Sequence, residues 1–204
     1  MALSNVGAKN TIESLDNEQS TEAAICRIWY DHSRIMTLEA YNWSFAKKRA
    51  ALTEDTEDPP DGLWGFRYQL PADCIHAREL ENPTVVNQSI IRGQPTTLVQ
   101  ADAIPFEIEM TANGERRTLL TDLDDAILLY TFDQIKVDRF SRAFVLALSY
   151  ALGMYIAFPL TGKLTIKQEM SIDFAKTVVQ AAAQDANERV GRQPRDADWI
   201  RGRS

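Results

Sequence analysis

Residues 138–191 read DRFSRAFVLALSYALGMYIAFPLTGKLTIKQEMSIDFAKTVVQAAAQDANERVG, and their spacing predicts two long helices joined by a sharp turn at Pro159-Leu160-Thr161-Gly162. In the first, Phe140, Phe144, Val145, Leu148, Leu152, Tyr155 and Ile156 are interleaved with Ala143, Ala147 and Ala151. An apolar surface that runs almost all the way round a helix is expected to be buried on several sides. The second helix has a narrower apolar stripe, Ile172, Ala175, Val179, Ala182, Ala183, Ala186 and Val190, with Gln, Asp, Lys and Glu between. The expectation is a surface helix turned stripe-inward onto a core helix.

No charge occurs between Arg142 and Lys163, so a membrane span has to be weighed. Gly153, Pro159, Thr161 and Gly162 interrupt the interval, leaving a continuous apolar part short of the roughly 20 residues that cross a bilayer. The reading is a buried core helix and no membrane partner.

Upstream, residues 1–19 are polar and read as irregular. From Ser20 or Thr21, either of which suits a helix cap, Ile25, Ile28, Trp29, His32, Ile35, Met36 and Ala40 recur at helical spacing and predict a helix ending near Trp43. FAKKRAALT reads equally as continued helix or as an extended segment. TEDTEDPPDG, at 53–62, then supplies five acids, two prolines and a glycine, the composition of a solvated loop. Beyond it the period changes to two: Trp64, Phe66, Tyr68 and Leu70 alternate up to Pro71, and DCIHAREL continues as a second strand. Residues 81–101 read as a long connection with a brief strand at TTLVQ. Ile104, Phe106, Ile108 and Met110 alternate up to Asn113-Gly114, which predicts a two-residue hairpin turn with RRTLLT returning. AILLYTF reads as a further strand or as a short helix capped by Asp122 to Asp125. The fold class predicted is α+β: bundled long helices (20–45 and 138–190), a small antiparallel β-sheet inserted at about 64–132, and an extended C-terminal arm at 191–204.

The 204 residues are 45% hydrophobic and 25% charged, the balance of a globular chain with one sizeable core. The formal charge of −7 is uneven: residues 189–204 carry five arginines against two aspartates, a net +3 that leaves −10 on the rest. A basic arm on an acidic body predicts a tether that finds an acidic partner surface. The acidic body argues against general nucleic-acid affinity. Cys26 and Cys74 form no CxxC pair and read as reduced, buried thiols; the N-terminus has no apolar signal region.

Chemistry is sparsely signalled. His32 lies on an apolar stripe, as a core or interface histidine would, and His76 follows Cys74 on one strand without a third orienting group. No phosphate loop, HExxH, zinc-spaced cluster or GxSxG occurs. Asp55, Glu57, Asp58 and Asp61 lack a calcium-loop spacing. Trp43, Phe45, Lys47, Lys48 and Arg49 read as core aromatics beside a solvated basic turn rather than a stacking platform. No catalytic residue, cofactor or metal ligand is assigned, and the chain is read as a non-enzyme.

Taken in order, Trp43-Ser44-Phe45-Ala46, Trp64-Gly65-Phe66-Arg67-Tyr68-Gln69-Leu70-Pro71-Ala72-Asp73-Cys74, Pro159-Leu160-Thr161-Gly162, Ala175-Lys176 with Glu188, and Asp198-Trp199-Ile200-Arg201 closely resemble the head-to-tail adaptor family of tailed bacteriophages, the group called tail tubular protein A in short-tailed phages. The resemblance runs from about Ser20 to Arg203, with no matching motif between Glu81 and Asp125. It implies a structural virion protein of the neck, assembled in the host cytoplasm as a dodecameric ring. Its implied partners are other copies of the chain, the portal protein, tail nozzle or tail tube proteins, and duplex DNA passing through the channel without sequence-specific binding. The arm, with Arg192, Arg195, Asp198, Trp199, Ile200, Arg201 and Arg203, is the implied portal-docking site. Its composition suits that role: Trp199 and Ile200 to fill an apolar pocket, Arg201 and Arg203 to meet carboxylates. The alternative is a peptidoglycan-degrading tail accessory protein, for which no acid pair stands out.

Overall fold

Ser20 starts the first long helix: its Oγ accepts a hydrogen bond from the Ala23 amide at 3.3 Å, capping one of the open amides of the first turn. The computed structural model describes residues 1–60, 62–82 and 103–188. The chain is an α+β protein with four α-helices and two antiparallel sheets among the described residues. It divides into two compact units, one from residues 1–47 and 131–188 and one from the described residues between 48 and 130.

The first unit is helical, with α1 (Ala2–Asn5), α2 (Thr21–Ala40), α3 (Arg142–Thr161) and α4 (Leu164–Glu188). α3 is the central element, and α1, α2 and α4 all pack on it. Its buried residues are Phe144, Ala147, Leu148, Ser149, Ala151, Leu152, Gly153, Ile156 and Ala157. By length and composition α3 is sufficient to cross a membrane, so the expectation that its apolar run is too short does not hold. Packing by its neighbours is what makes it a core helix. It begins at Arg142 rather than at Asp138, because Ser141 is the cap: its Oγ accepts from the Phe144 amide at 3.2 Å.

The turn is shorter than the sequence suggests. Pro159, Leu160 and Thr161 belong to the last turn of α3, and the break falls at Gly162, which adopts φ 69° and ψ 6°. A left-handed residue just past a helix costs glycine nothing for want of a Cβ. Thr161 completes the cap, with Oγ1 donating to the Ala157 carbonyl at 2.6 Å and accepting from the Lys163 amide at 3.2 Å.

α2 runs antiparallel to α3. His32 Nε2 lies 2.9 Å from the Tyr155 hydroxyl, while farther along α2's direction the Trp43 ring meets Phe144 edge-on at 5.2 Å. Trp43, Phe45, Phe140 and Phe144 form one aromatic cluster. The N-terminal stretch is not irregular throughout. Leu3 and Val6 are buried with Cys26, Leu152, Ile156 and Met170, and Asn5 Nδ2 donates to Ser149 Oγ at 3.1 Å. Its apolar residues follow no period, so the sequence pattern hid them.

The second unit contains β1 (Lys47–Ala51), β2 (Thr53–Glu54), β3 (Phe66–Gln69), β4 (Cys74–Glu81), β5 (Glu107–Met110), β6 (Arg117–Thr121) and β7 (Ile127–Phe132). They form two sheets, in orders β1-β7-β4 and β2-β3-β6-β5, where one was expected. KKRAA is extended, and AILLYTF is a strand. The β5–β6 connection is longer than a two-residue turn. The Thr111 amide donates to the Arg116 carbonyl at 2.9 Å, closing residues 112–115 as the loop. Only Gly114 there has a positive φ, of 71°, whereas the tight Asn-Gly turn needs two such residues. The Asn113 carboxamide oxygen instead bridges the Thr111 hydroxyl and the Glu115 amide. TTLVQ lies outside the described residues.

Candidate interaction surface

α4 lies on α3 by a face the apolar pattern did not identify. Met170, Thr177 and Ala181 are buried, and Ile166, Phe174 and Val178 are half-buried. Positions 166, 170, 174, 177 and 181 follow the three-to-four spacing of one helical face. Gly153 of α3 sits at the closest point of this contact. A Cβ placed there would lie 3.2 Å from Met170 Sδ, 3.3 Å from its Cγ and 3.5 Å from Val6 Cγ1. The missing side chain lets α4 and the N-terminal segment converge on α3. A mid-helix glycine opposite a methionine was the available signal for this register.

The predicted stripe is thereby turned outward. Leu164 is 61% exposed, Ile172 53% and Val179 68%, and Ala175 and Ala183 are exposed between them. With Thr165, Gln168 and Ala182, these residues make an outer face without a charge from Leu164 to Ala183, about 28 Å at 1.5 Å per residue. Burying an Ile or Val side chain stabilises by about 1.5–3 kcal/mol. Covering Leu164, Ile172 and Val179 with a partner would therefore favour association. Lys167, Glu169 and Lys176 are exposed around it.

A related displacement occurs on α2. Buried there are Ala23, Cys26, Ser33, Arg34, Thr37 and Leu38. Of the predicted stripe, Trp29 and Met36 contact Tyr155 from the side. Trp29 stacks on its ring at 4.7 Å, and the Tyr155 hydroxyl reaches Met36 Sδ at 3.5 Å. Ile28 is 70% exposed, and Ala24, Asp31 and His32 are exposed around it with Ile35 half-buried. His32 is thus a surface residue partnered by Tyr155, not a core one. The polar anchor of α2 is Arg34, buried, pairing with Asp133 and donating to the Gln134 carbonyl at 3.1 Å.

In the β unit the charged residues are engaged with one another. The acidic loop is not simply solvated: the Asp55 side chain is buried and meets Arg116 at 3.4 Å, while Glu57 meets Arg67 at 3.2 Å and accepts from the Ala112 amide. Glu109 lies 3.7 Å from the same buried Arg67. Guanidinium groups stand where a cation bound to these carboxylates would have to sit. Asp73 accepts from Lys48 Nζ at 2.6 Å and from the Tyr130 hydroxyl at 3.0 Å. Burial opposes ionisation of Asp73, but these two donors hold its carboxyl below the usual range. Burial first, and then the Asp73 charge, push the Tyr130 hydroxyl up to about 12. Burial pushes the Cys74 thiol up to about 11 and also raises Cys26. Both thiols are unpaired.

The sequence-assigned docking residues Arg192, Arg195, Asp198, Trp199, Ile200, Arg201 and Arg203 lie outside the described residues. Among the described residues, the outer face of α4 is one apolar surface that the fold leaves exposed, and Ile28 on α2 is another exposed apolar position. No family model matches this chain, and no curated protein matches it.

Proposed function

We propose that the chain is a structural head-to-tail adaptor of a tailed phage virion, one subunit of a ring that docks on the portal and leaves a channel for DNA. The observation that carries the reading is the outer face of α4. A ring subunit needs a rigid body with apolar surface left over for its neighbours, and the uncharged run from Leu164 to Ala183 supplies that surface on a helix braced by α3. The motif resemblance supplies the identity of the assembly. Its Pro159–Gly162 element closes α3, and its Trp43–Ala46 element lies in the aromatic cluster against Phe144. In this reading the basic arm beyond Gly191 reaches onto the portal and the acidic body repels passing DNA.

Native mass measurement and particle imaging, with and without the portal protein, test the proposal. Rings on the portal are the expected result, and a chain that stays monomeric in both conditions sinks it. Truncation after Gly191 is expected to keep the folded body and abolish portal attachment. Trp199→Ala is expected to weaken docking more than Arg203→Ala, since a buried aromatic anchor outweighs a rim charge. Loss of turbidity in purified cell walls would replace this reading with a muralytic one.

A further inference from the structure

The outer face of α4 could meet its own counterpart on a second copy, or a different face. These choices have different consequences. A self-complementary contact closes as a dimer, whereas only two different faces propagate into a ring. The helical unit offers such a second face along α2, at Ala24 and Ile28, which are exposed, and Ile35, which is half-buried.

The two faces correspond in spacing and in charge. Ile28 and Ile35 are seven residues apart, and so are Ile172 and Val179. Seven residues is two helical turns, about 10.5 Å on each helix. Asp31 follows Ile28 by three residues, with its side chain 78% exposed, and Lys176 follows Ile172 by four, with its side chain 67% exposed. The exposed acids of the outer half of α2 are Asp31, which also lies 3.4 Å from Arg34, and Glu39, whereas α4 presents Lys167 and Lys176 with Glu169 and with Asp173, which lies 3.8 Å from Lys176.

Direction is fixed by symmetry. α2 is antiparallel to α3, and α3 is antiparallel to α4 across the Gly162 turn, so α2 and α4 run parallel within one subunit. In a ring of many copies each neighbour is rotated only slightly, so the next copy's α2 runs nearly parallel to this copy's α4. In the parallel direction the equal spacing lets Ile28 stand opposite Ile172 and Ile35 opposite Val179, the register that brings Asp31 and Lys176 to the same flank. A two-fold contact of α4 with α4 would close as a dimer and would not build a ring.

We infer that the subunit contact is head-to-tail, with the outer face of α4 of one copy seated in parallel on the Ile28–Ile35 face of α2 of the next. This inference rests on the ring reading and specifies its interface.

Cysteine cross-linking tests it on the full chain. Ile28→Cys and Ile172→Cys proteins are mixed and oxidised, and linked peptides are identified by mass spectrometry. A disulfide requires Cα atoms within about 7 Å, so the 28–172 link is expected to dominate. The two-turn-shifted 28–179 link is expected to be scarce in a mixture of Ile28→Cys and Val179→Cys. The unsubstituted protein reports on the native thiols, which burial slows. A dominant 172–172 or 179–179 link in single-variant samples, or no 28–172 link, overturns the inference. Rings of the unsubstituted protein without a 28–172 link would reject this contact and leave the ring reading standing. A 28–172 link without closed rings would do the reverse.

Discussion

Met170 Sδ would stand 3.2 Å from a Cβ on Gly153, so the register of α4 on α3 depends on an absent side chain. Gly153→Ala sets a gain of about 1 kcal/mol in helix propensity against a tight contact that the flexible methionine can relieve. Near-neutrality is the expected result. Gly153→Val cannot be relieved in this way and is expected to cost about 1–3 kcal/mol by overpacking. Met170→Ala opens a cavity and is expected to cost about 2–5 kcal/mol. Chemical denaturation of the three variants and of Gly153→Val/Met170→Ala checks this. The double variant should be more stable than the sum of its parts predicts, and strict additivity would refute the contact.

The outer face of α4 makes the opposite prediction. Ile172→Glu and Val179→Lys replace exposed side chains with other good surface residues, so each is expected to change monomer stability by no more than about 0.5 kcal/mol. The same substitutions are expected to abolish ring assembly. Thermal unfolding and native mass, run on the same samples, separate the two effects. If either variant unfolds several degrees early, the stripe belongs to the core and the assigned register is wrong.

The fold class was legible in the sequence because the period of apolar residues differs between helix and strand. FRYQ, CIHARELE and EIEM followed by the RTLLT return alternate visibly, and the apolar girth of α3 identified it as the centre. Facing was legible only in part. On α4 the most apolar stripe faces outward, while on α2 it is borne out in part, since Ile25 and Trp29 pack on the core cluster and Ile28 is exposed; the buried faces also include Ser33, Arg34, Thr37 and Thr177. Thr37 and Thr177 each donate to the carbonyl four residues back, at 2.7 Å, and Arg34 donates to the Gln134 carbonyl, whereas the buried Ser33 hydroxyl has no hydrogen-bond partner among the described residues. Threonine bonded in this way buries without an orphaned donor, which an apolar count does not register. The acidic loop is engaged rather than simply solvated because Arg116, which answers Asp55, lies 61 residues on, and Arg67, which answers Glu57, lies in the next strand. The docking assignment of residues 191–204 is what the family resemblance implies, whereas the outer face of α4 emerges only when packing on α3 shows which side faces in.

The Asp73–Tyr130 hydrogen bond gives the β unit a pH signature at both extremes. The Asp73 carboxyl is lowered in the folded state, so its contribution is fully present above the unfolded value and is lost as pH falls below about 4. The Tyr130 hydroxyl is raised to about 12. Its contribution is full below its ordinary value and declines from about pH 10 upward. Asp73→Asn is expected to flatten the acid limb of stability against pH, and Tyr130→Phe the alkaline limb. Urea unfolding between pH 3 and 11, read by tyrosine absorbance and circular dichroism, follows both limbs. An unchanged acid limb in Asp73→Asn would mean that other carboxylates carry it.

The pair of Arg34 with Asp133 is asymmetric, and the asymmetry sets its mutational pattern. The Arg34 side chain is 5% exposed and that of Asp133 is 39% exposed. Removing Asp133 leaves a buried guanidinium with the Gln134 carbonyl and the surface carboxylate of Asp31 to answer it. Asp133→Ala is therefore expected to destabilise by about 1–3 kcal/mol, the cost of an imperfectly answered buried charge. Arg34→Met removes the charge itself, and the freed Asp133 turns to water, so the loss should be smaller and could vanish. The Asp133→Ala/Arg34→Met double variant should unfold close to Arg34→Met alone, because once the guanidinium is gone the carboxylate has no buried partner to serve. Denaturant unfolding of the three proteins reads the order directly. An Arg34→Met protein less stable than Asp133→Ala would show that the fold depends on the arginine's own contacts with α2 and residues 133–134 rather than on neutralising its charge.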